Sequence, residues 1–209
     1  MSEISLESLS GRERYGLLTG LIVPRPIAWV STLSNEGVRN LAPFSYFSGV
    51  SSSPPLVSLS IADRPDGRVK DTFKNMRDTG VYCINLVEEE HAEAMNLSSG
   101  AYEPGVDEFE LTELLAKPCE EIKGNRIAGA RAVMECKLIN VHIYGRAKSA
   151  GGKGLVRLCI GEVLHAFVDD ALLDDNARID AEKIGSIGRM SGGHYVKLGK
   201  RFVLDRPKI

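Results

Sequence analysis

The stretch RPIAWVSTLSNEGVRNLAPFSYFSGVSSSPPLVSLSIADRPDGRVK, residues 25–70, decides how the rest of the chain is read. From Ile27 to Leu33 the run is strand-like. Asn35-Glu36-Gly37 predicts a turn, because Gly37 can supply the positive φ that a short hairpin loop often needs. A second run returns from Val38 to Phe47. Leu56-Val57-Ser58-Leu59-Ser60-Ile61 alternates apolar and hydroxyl residues, the pattern of a strand with one buried face. Asp63 to Gly67, DRPDG, is turn chemistry. Ser, Thr, Asn and Pro are unusually dense here beside aromatics. Small hydroxyl residues in loops turn backbone N–H groups and hydroxyls toward an anion, while Pro and aromatic rings offer a flat apolar wall. A ligand with an anionic tail and a planar head suits both.

Working outward, Lys70 to Thr79 predicts a short helix with Asp71 as its N-cap and Gly80 as its stop. Val81 to Val87 follows as a strand, and Glu88 to Leu97 as a second, acidic helix. Residues 98–112 read as an exposed loop rich in Gly, Pro and acids. Ala130 to Tyr144 and Leu155 to Val168 are two long strands, with a hairpin tip at Gly151 to Gly154. The first 20 or so residues are a lead-in. Pro24 and Pro26 hold Arg25 in an extended course. From about residue 170 the chain reads as a tail that packs on the body or on a partner subunit. The whole is one domain, 1–209, of 209 residues, enough to bury roughly 70% of its unfolded surface. Five or six long strands with only short helices predict a mainly β fold, a β-barrel with peripheral helices, and not a doubly wound parallel sheet. No G-x-G-x-x-G follows a strand and opens a helix, and there is no P-loop, HExxH or G-x-S-x-G.

Composition narrows the function classes. A net charge of −2, from 26 basic and 28 acidic residues, gives no footprint for nucleic acid or an anionic membrane. No apolar run approaches the roughly 20 residues that span a bilayer. The N-terminal MSEISLESLSGRER has early acids and no apolar core, unlike a secretory signal. Cys83, Cys119, Cys136 and Cys159 are far apart and form no CxxC pair, so no disulfide, no metal site and a reducing, cytoplasmic setting are expected.

Three segments carry candidate chemistry. Ser31 and Thr32 close the first strand with hydroxyls, although taken alone they are better explained as a plain strand end. Asn40 to Ser48 sets Asn40, Ser45 and Ser48 among apolar and aromatic residues, of which Phe44, Tyr46 and Phe47 cannot all face one way. Lys70-Asp71-Thr72 places a cation and a hydroxyl at a helix N-terminus, where free N–H groups and the dipole favour a phosphate. Flavin mononucleotide, FMN, is the ligand that best unites these features. Trp29 reads as a core residue and is also a candidate substrate contact. Among the histidines, His91 is expected on an exposed helix and His142 within a strand, and His194 is the best candidate for a cofactor or substrate contact.

RPIAWVST (25–32), NLAPFSYF (40–47), SSPP (52–55), KDT (70–72) and RMSGGHY (189–195) closely resemble the flavin reductase-like, FMN-binding split-barrel flavoproteins. The resemblance runs in order over most of the chain. It implies a split β-barrel with Greek-key connectivity, a homodimer, and one FMN per subunit near the interface. It implies contacts to the ring and ribityl chain from Ser31, Thr32, Asn40, Leu41, Ala42 and Ser45. Phosphate contacts are implied from Ser48, Lys70 and Thr72, with Ser60 as a further candidate. Arg189 and Tyr195 resemble residues that lie over the cofactor. An oxidoreductase of this kind takes electrons from NADH, NADPH or another donor through FMN to a second acceptor, such as a monooxygenase partner. No side chain is assigned as catalytic acid or base, because the flavin does the redox chemistry. Many reductase components carry a Gly-Asp-His block before the last long strand. Here Gly161-Glu162-Val163 is present without it, and His165 follows rather than precedes. That absence leans toward the flavoredoxin-like branch, and toward the alternative of a non-catalytic FMN carrier fed by a protein donor. A deazaflavin- or haem-binding split barrel is the second alternative.

Overall fold

The computed structural model describes residues 2–146 and 154–207. In chain order its elements begin with helix α1 (Gly11–Leu21), strands β1 (Ala28–Leu33), β2 (Arg39–Phe44), β3 (Phe47–Ser52) and β4 (Pro55–Ala62), and helix α2 (Asp71–Thr79). Strand β5 (Val81–Asn85) and helices α3 (Ala92–Leu97) and α4 (Glu108–Leu111) follow. The chain continues through β6 (Ala116–Pro118), β7 (Asn125–Ile127), β8 (Ala132–Arg146), β9 (Leu155–Val168), β10 (Ile187–Arg189) and β11 (Tyr195–Lys197).

Seven strands form one antiparallel sheet in the order β2-β1-β5-β8-β9-β4-β3. The chain leaves β4, crosses by α2 and adds β5 beside β1, so spatial and sequence order part as in Greek-key connections. Strands β2 and β4 come into contact, curling the sheet into a split barrel. The mainly β expectation holds.

Two cores lie on opposite faces of this sheet. Ala28 and Val30 point into the barrel with Leu59, Ile61, Tyr82 and Cys159, and α2 closes that core with Phe73 and Met76. Trp29 points the other way, into a core with Leu41, Met95, Phe109 and Ile127. Because side chains alternate along a strand, β1 is buried on both faces, which is why Ala28 to Thr32 are all inaccessible. Three of the four free cysteines, Cys83, Cys136 and Cys159, are buried among these apolar groups. Among the described residues no helix is long and apolar enough to cross a membrane.

Several boundaries differ from expectation, each for a local reason. The run from Val38 to Phe47 divides: β2 ends at Phe44 and β3 starts at Phe47, so one segment pairs with β1 and the next with β4. The acidic segment from Glu88 does not begin as a helix. Glu88 stays extended, bridged to Ser186 and ion-paired with Arg131 at 3.2 Å, and a 3-10 turn at Glu89–His91 precedes α3. His91 is not fully exposed, for its ring lies 6.1 Å from that of Trp29. The segment 98–112 is not merely a loop. Asp107 caps α4, accepting from the N–H groups of Phe109 and Glu110, and α4 buries Glu108 and Phe109. The lead-in is helical because Ser10 and Glu13 form a reciprocal capping box at α1. The tail contributes the β10–β11 hairpin, which rejoins the body where Arg25 bridges Arg189. The tip expected at 151–154 lies, but for Gly154, outside the described residues.

Candidate functional site

The end of β2, the DRPDG turn, the start of α2 and the loop after α3 enclose a small cavity of about 80 Å³. Asn40, Ala42, Arg64, Lys70, Thr72 and Glu108 are among its walls. A second cavity of about 200 Å³ shares Pro43 and Ser99 with the first and opens toward Phe44, Ser45, Arg189 and Tyr195. The two form one cleft with a cationic end and an aromatic end.

The cationic end is built by α2. Lys70, not Asp71, is the N-cap, and no side chain caps the first N–H groups. Asp71 fails to cap because Arg64 takes its carboxylate at 2.8 Å. Arg64 also donates to the carbonyl of Tyr102, fixing the turn against the loop. The Lys70 ammonium stands 5.5 Å from the centre of the Phe44 ring, with no carboxylate within 4 Å among the described residues. Burial, then the neighbouring Arg64 charge, holds its pKa below the ordinary lysine value. An uncapped helix terminus beside a desolvated, unpaired ammonium favours an anion.

Behind the cleft the polar side chains satisfy one another. Asn40 Oδ1 accepts from the Thr72 hydroxyl at 2.7 Å and from the Thr32 hydroxyl at 3.3 Å. Asn75 donates to Thr32 at 3.0 Å. Glu108 Oε2 accepts from Asn40 Nδ2 at 3.0 Å and from the Leu41 N–H at 2.9 Å. Burial raises the Glu108 pKa, partly offset by those bonds.

The structure brings Asn40, Ala42, Ser45, Lys70, Thr72, Arg189 and Tyr195 to the cleft walls. Thr32 sits one layer behind, in the network. Leu41 turns its side chain into the outer core and spends its N–H on Glu108. Ser31 is buried, donating to the Asn125 carbonyl at 2.6 Å and accepting from Asn85, so its hydroxyl does not reach the cleft. Trp29 is likewise removed from any substrate: it is wholly buried and donates to Ser98 at 2.9 Å. Ser48 is exposed on β3, and Ser60 is half-buried on β4 with its N–H given to Tyr46; neither lines the cleft. His194 is exposed at the turn of the β10–β11 hairpin. Tyr195 donates to Asn96 at 3.3 Å, and the Arg189 guanidinium lies 4.4 Å above its ring.

Sequence reasoning missed Arg64, Arg25, Tyr15 and Ser99. Arg64 was hidden in a turn motif, although a cation six residues before Lys70 signals a second positive group at the same helix end. Arg25, between two prolines, is buried and donates to the carbonyls of Thr19, Ile22 and Met190, pinning α1 and the C-terminal hairpin to β1.

The model for the flavin reductase like domain matches residues 20–183, most of the chain. The chain belongs to the flavin reductase-like family. Similarity extends end to end. An uncharacterised protein of Halalkalibacterium halodurans is 39% identical over 99% of this chain and 97% of its own. Nitrilotriacetate monooxygenase component B from Bacillus cereus superposes with a TM-score of 0.90 at 34% identity, covering 98% of both chains. The 2-nitrobenzoate 2-nitroreductase of Pseudomonas fluorescens gives 0.87 at 28%, over 99% of this chain and 96% of that one.

Proposed function

We propose that the protein is an FMN-dependent oxidoreductase, a flavin reductase passing electrons from NADH, NADPH or another donor to a second acceptor. The observation that carries this reading is the single cleft with Lys70 and Arg64 at one end and Phe44, Arg189 and Tyr195 at the other. Lys70, Arg64 and the uncapped start of α2 are suited to the FMN phosphate, and Pro43 and Phe44 to its ring. When bound, the flavin supplies the redox chemistry. The chain holds and orients it, and the Asn40–Thr72–Glu108 network keeps the walls in place. The likeness to a monooxygenase component B supports a monooxygenase as recipient of the electrons.

A homodimer is supported by apolar side chains left in solvent, Ile143 and Tyr144 on β8 and Phe202-Val203-Leu204 in the tail. Light scattering on the purified protein tests it, and a monomer mass refutes it. Four free cysteines support a reducing compartment. A second reading, an FMN carrier without nicotinamide turnover, is supported by the missing Gly-Asp-His before β9. Anaerobic absorbance spectra with FMN, then NADH or NADPH, decide between them. Perturbed bands that bleach within seconds support the reductase, and perturbed bands that persist support the carrier. Unperturbed bands refute both.

A further inference from the structure

Away from the cleft, a row of three side chains crosses the middle of the sheet. Ser31 on β1 and Glu135 on β8 are the direct cross-strand partners of Cys83 on β5, so all three side chains leave the same face. The turn between β6 and β7 lies over that row. The Ser31 hydroxyl donates to the Asn125 carbonyl at 2.6 Å, and the Glu135 carboxylate accepts from the Glu120 and Glu121 N–H groups at 2.9 and 2.8 Å. The turn itself is closed by the Cys119 N–H, which donates to the Gly124 carbonyl at 3.0 Å. With both ends of the row bound to this turn, its middle member is brought against the turn's own cysteine. The Cys83 and Cys119 thiols lie within hydrogen-bonding reach of each other, in one outer core.

Cys83 is buried and Cys119 is half-buried at the edge of that core. Cys136 and Cys159 are on the other side of the sheet, inside the barrel. The Cys119 neighbour, then burial, pushes the Cys83 pKa up, so Cys83 stays a thiol while the more exposed Cys119 meets solutes first. No CxxC spacing marks the pair, because β5 and a turn beyond α4 bring it together only in the fold.

We infer that Cys83 and Cys119 are a redox-active pair that hydrogen peroxide converts to a disulfide and a dithiol restores. The Cys119 sulfur attacks one peroxide oxygen: an S–O bond forms, the O–O bond breaks, and the departing hydroxide takes the thiol proton as water. Cys119 is then a sulfenic acid. The Cys83 sulfur attacks the Cys119 sulfur: the S–S bond forms, the S–O bond breaks, and the hydroxyl leaves with the Cys83 proton as a second water. The two sulfurs together lose two electrons and the peroxide gains them. The bond ties β5 to the β6–β7 turn and closes the segment 83–119, which carries Asn96, Ser99 and Glu108 of the cleft wall. In a reducing compartment such a bond is transient and redox-sensing. It needs no bound FMN.

The full chain, reduced and freed of reductant, is treated with a slight molar excess of hydrogen peroxide, unfolded in iodoacetamide and digested without reductant. Peptide mass spectrometry should find Cys83 joined to Cys119 within one chain, Cys136 and Cys159 alkylated, and all four cysteines alkylated after dithiothreitol. Four alkylated cysteines after peroxide overturn the inference. So does a link between other cysteines or between two chains, or a Cys119 sulfinic acid beside a free Cys83. In Cys83→Ala the Cys119 sulfenic acid has no partner, so dimedone should label it far more than in the unaltered protein; equal labelling in a folded variant overturns the pairing. The unaltered protein decides the matter even where that variant does not fold.

Discussion

Replacing Lys70 with alanine should separate FMN from riboflavin, which lacks the phosphate. The ammonium is largely withdrawn from water, faces the Phe44 ring at 5.5 Å and has no carboxylate partner within 4 Å among the described residues. Arg64 beside it is already engaged by Asp71 at 2.8 Å, so Lys70 carries the larger share of unneutralised charge. A charge-assisted hydrogen bond is worth about 1.5–3 kcal/mol, or roughly 10- to 150-fold in Kd. Partial burial keeps salt from screening it away. Flavin fluorescence titrations should therefore show FMN weakened by that factor in Lys70→Ala and riboflavin unchanged. The pH dependence follows from the lowered pKa. Only the ammonium attracts the phosphate, so FMN affinity should fall as pH rises through that lowered value. The fall begins below the ordinary lysine range, and the variant should lack it. An equal loss for riboflavin would place Lys70 under the ring, and an unchanged FMN Kd would remove it from the site altogether.

Three further outcomes test the walls. Thr72→Val removes a hydroxyl that points at Asn40 rather than into the cleft, so it should cost about 1 kcal/mol in urea unfolding and leave FMN affinity nearly intact; a large loss of affinity with unchanged stability would show that the hydroxyl serves the ligand. Glu108 has a raised pKa in the fold, so its favourable contribution is full below the unfolded value of about 4.3 and is lost as pH rises through the raised value. Glu108→Gln keeps an acceptor for Asn40 and Leu41 without the charge; its melting temperature should gain on the unaltered protein from acid to neutral pH, and parallel curves would refute the assignment. Gly161→Ala puts a methyl against the Tyr82 hydroxyl and 2.8 Å from its Cζ in the barrel core. Overpacking of that kind costs about 1–3 kcal/mol or more, read as a lower denaturation midpoint, and an unshifted midpoint would mean the two strands can part there.

The long elements were legible because their signals are local and repeated. The limits of β9 match the expected Leu155 to Val168, and β8 was displaced by only two residues at each end. What failed were positions where a distant partner overrides the local pattern. Asp71 is a good cap by type, yet an arginine seven residues earlier takes its carboxylate. Glu88 has the composition of a helix start, yet a bridge to Ser186, nearly a hundred residues on, keeps it extended. Phe109 lies in a segment of Gly, Pro and acids, and only the outer core explains why it is buried.

The site was half legible for a related reason. Sequence shows which residues have hydroxyls and amides, not which way they turn. Ser31 and Thr32 are neighbours on one strand, so their side chains leave opposite faces of the sheet and at most one of them can serve a given pocket. Neither hydroxyl is left over: Ser31 is bonded to Asn125 and Asn85, and Thr32 to Asn40 and Asn75. A buried hydroxyl without a partner would cost about 1–3 kcal/mol, so packing a polar-rich segment against a sheet drives such groups to bond with one another. What remains for a ligand is what internal bonding cannot consume: an ammonium with no carboxylate in reach, the first N–H groups of an uncapped helix and the flat faces of Pro43 and Phe44. These are the groups that define the cleft, and the lysine, its helix and the Pro-aromatic wall were visible in the sequence, whereas the missing cap was not.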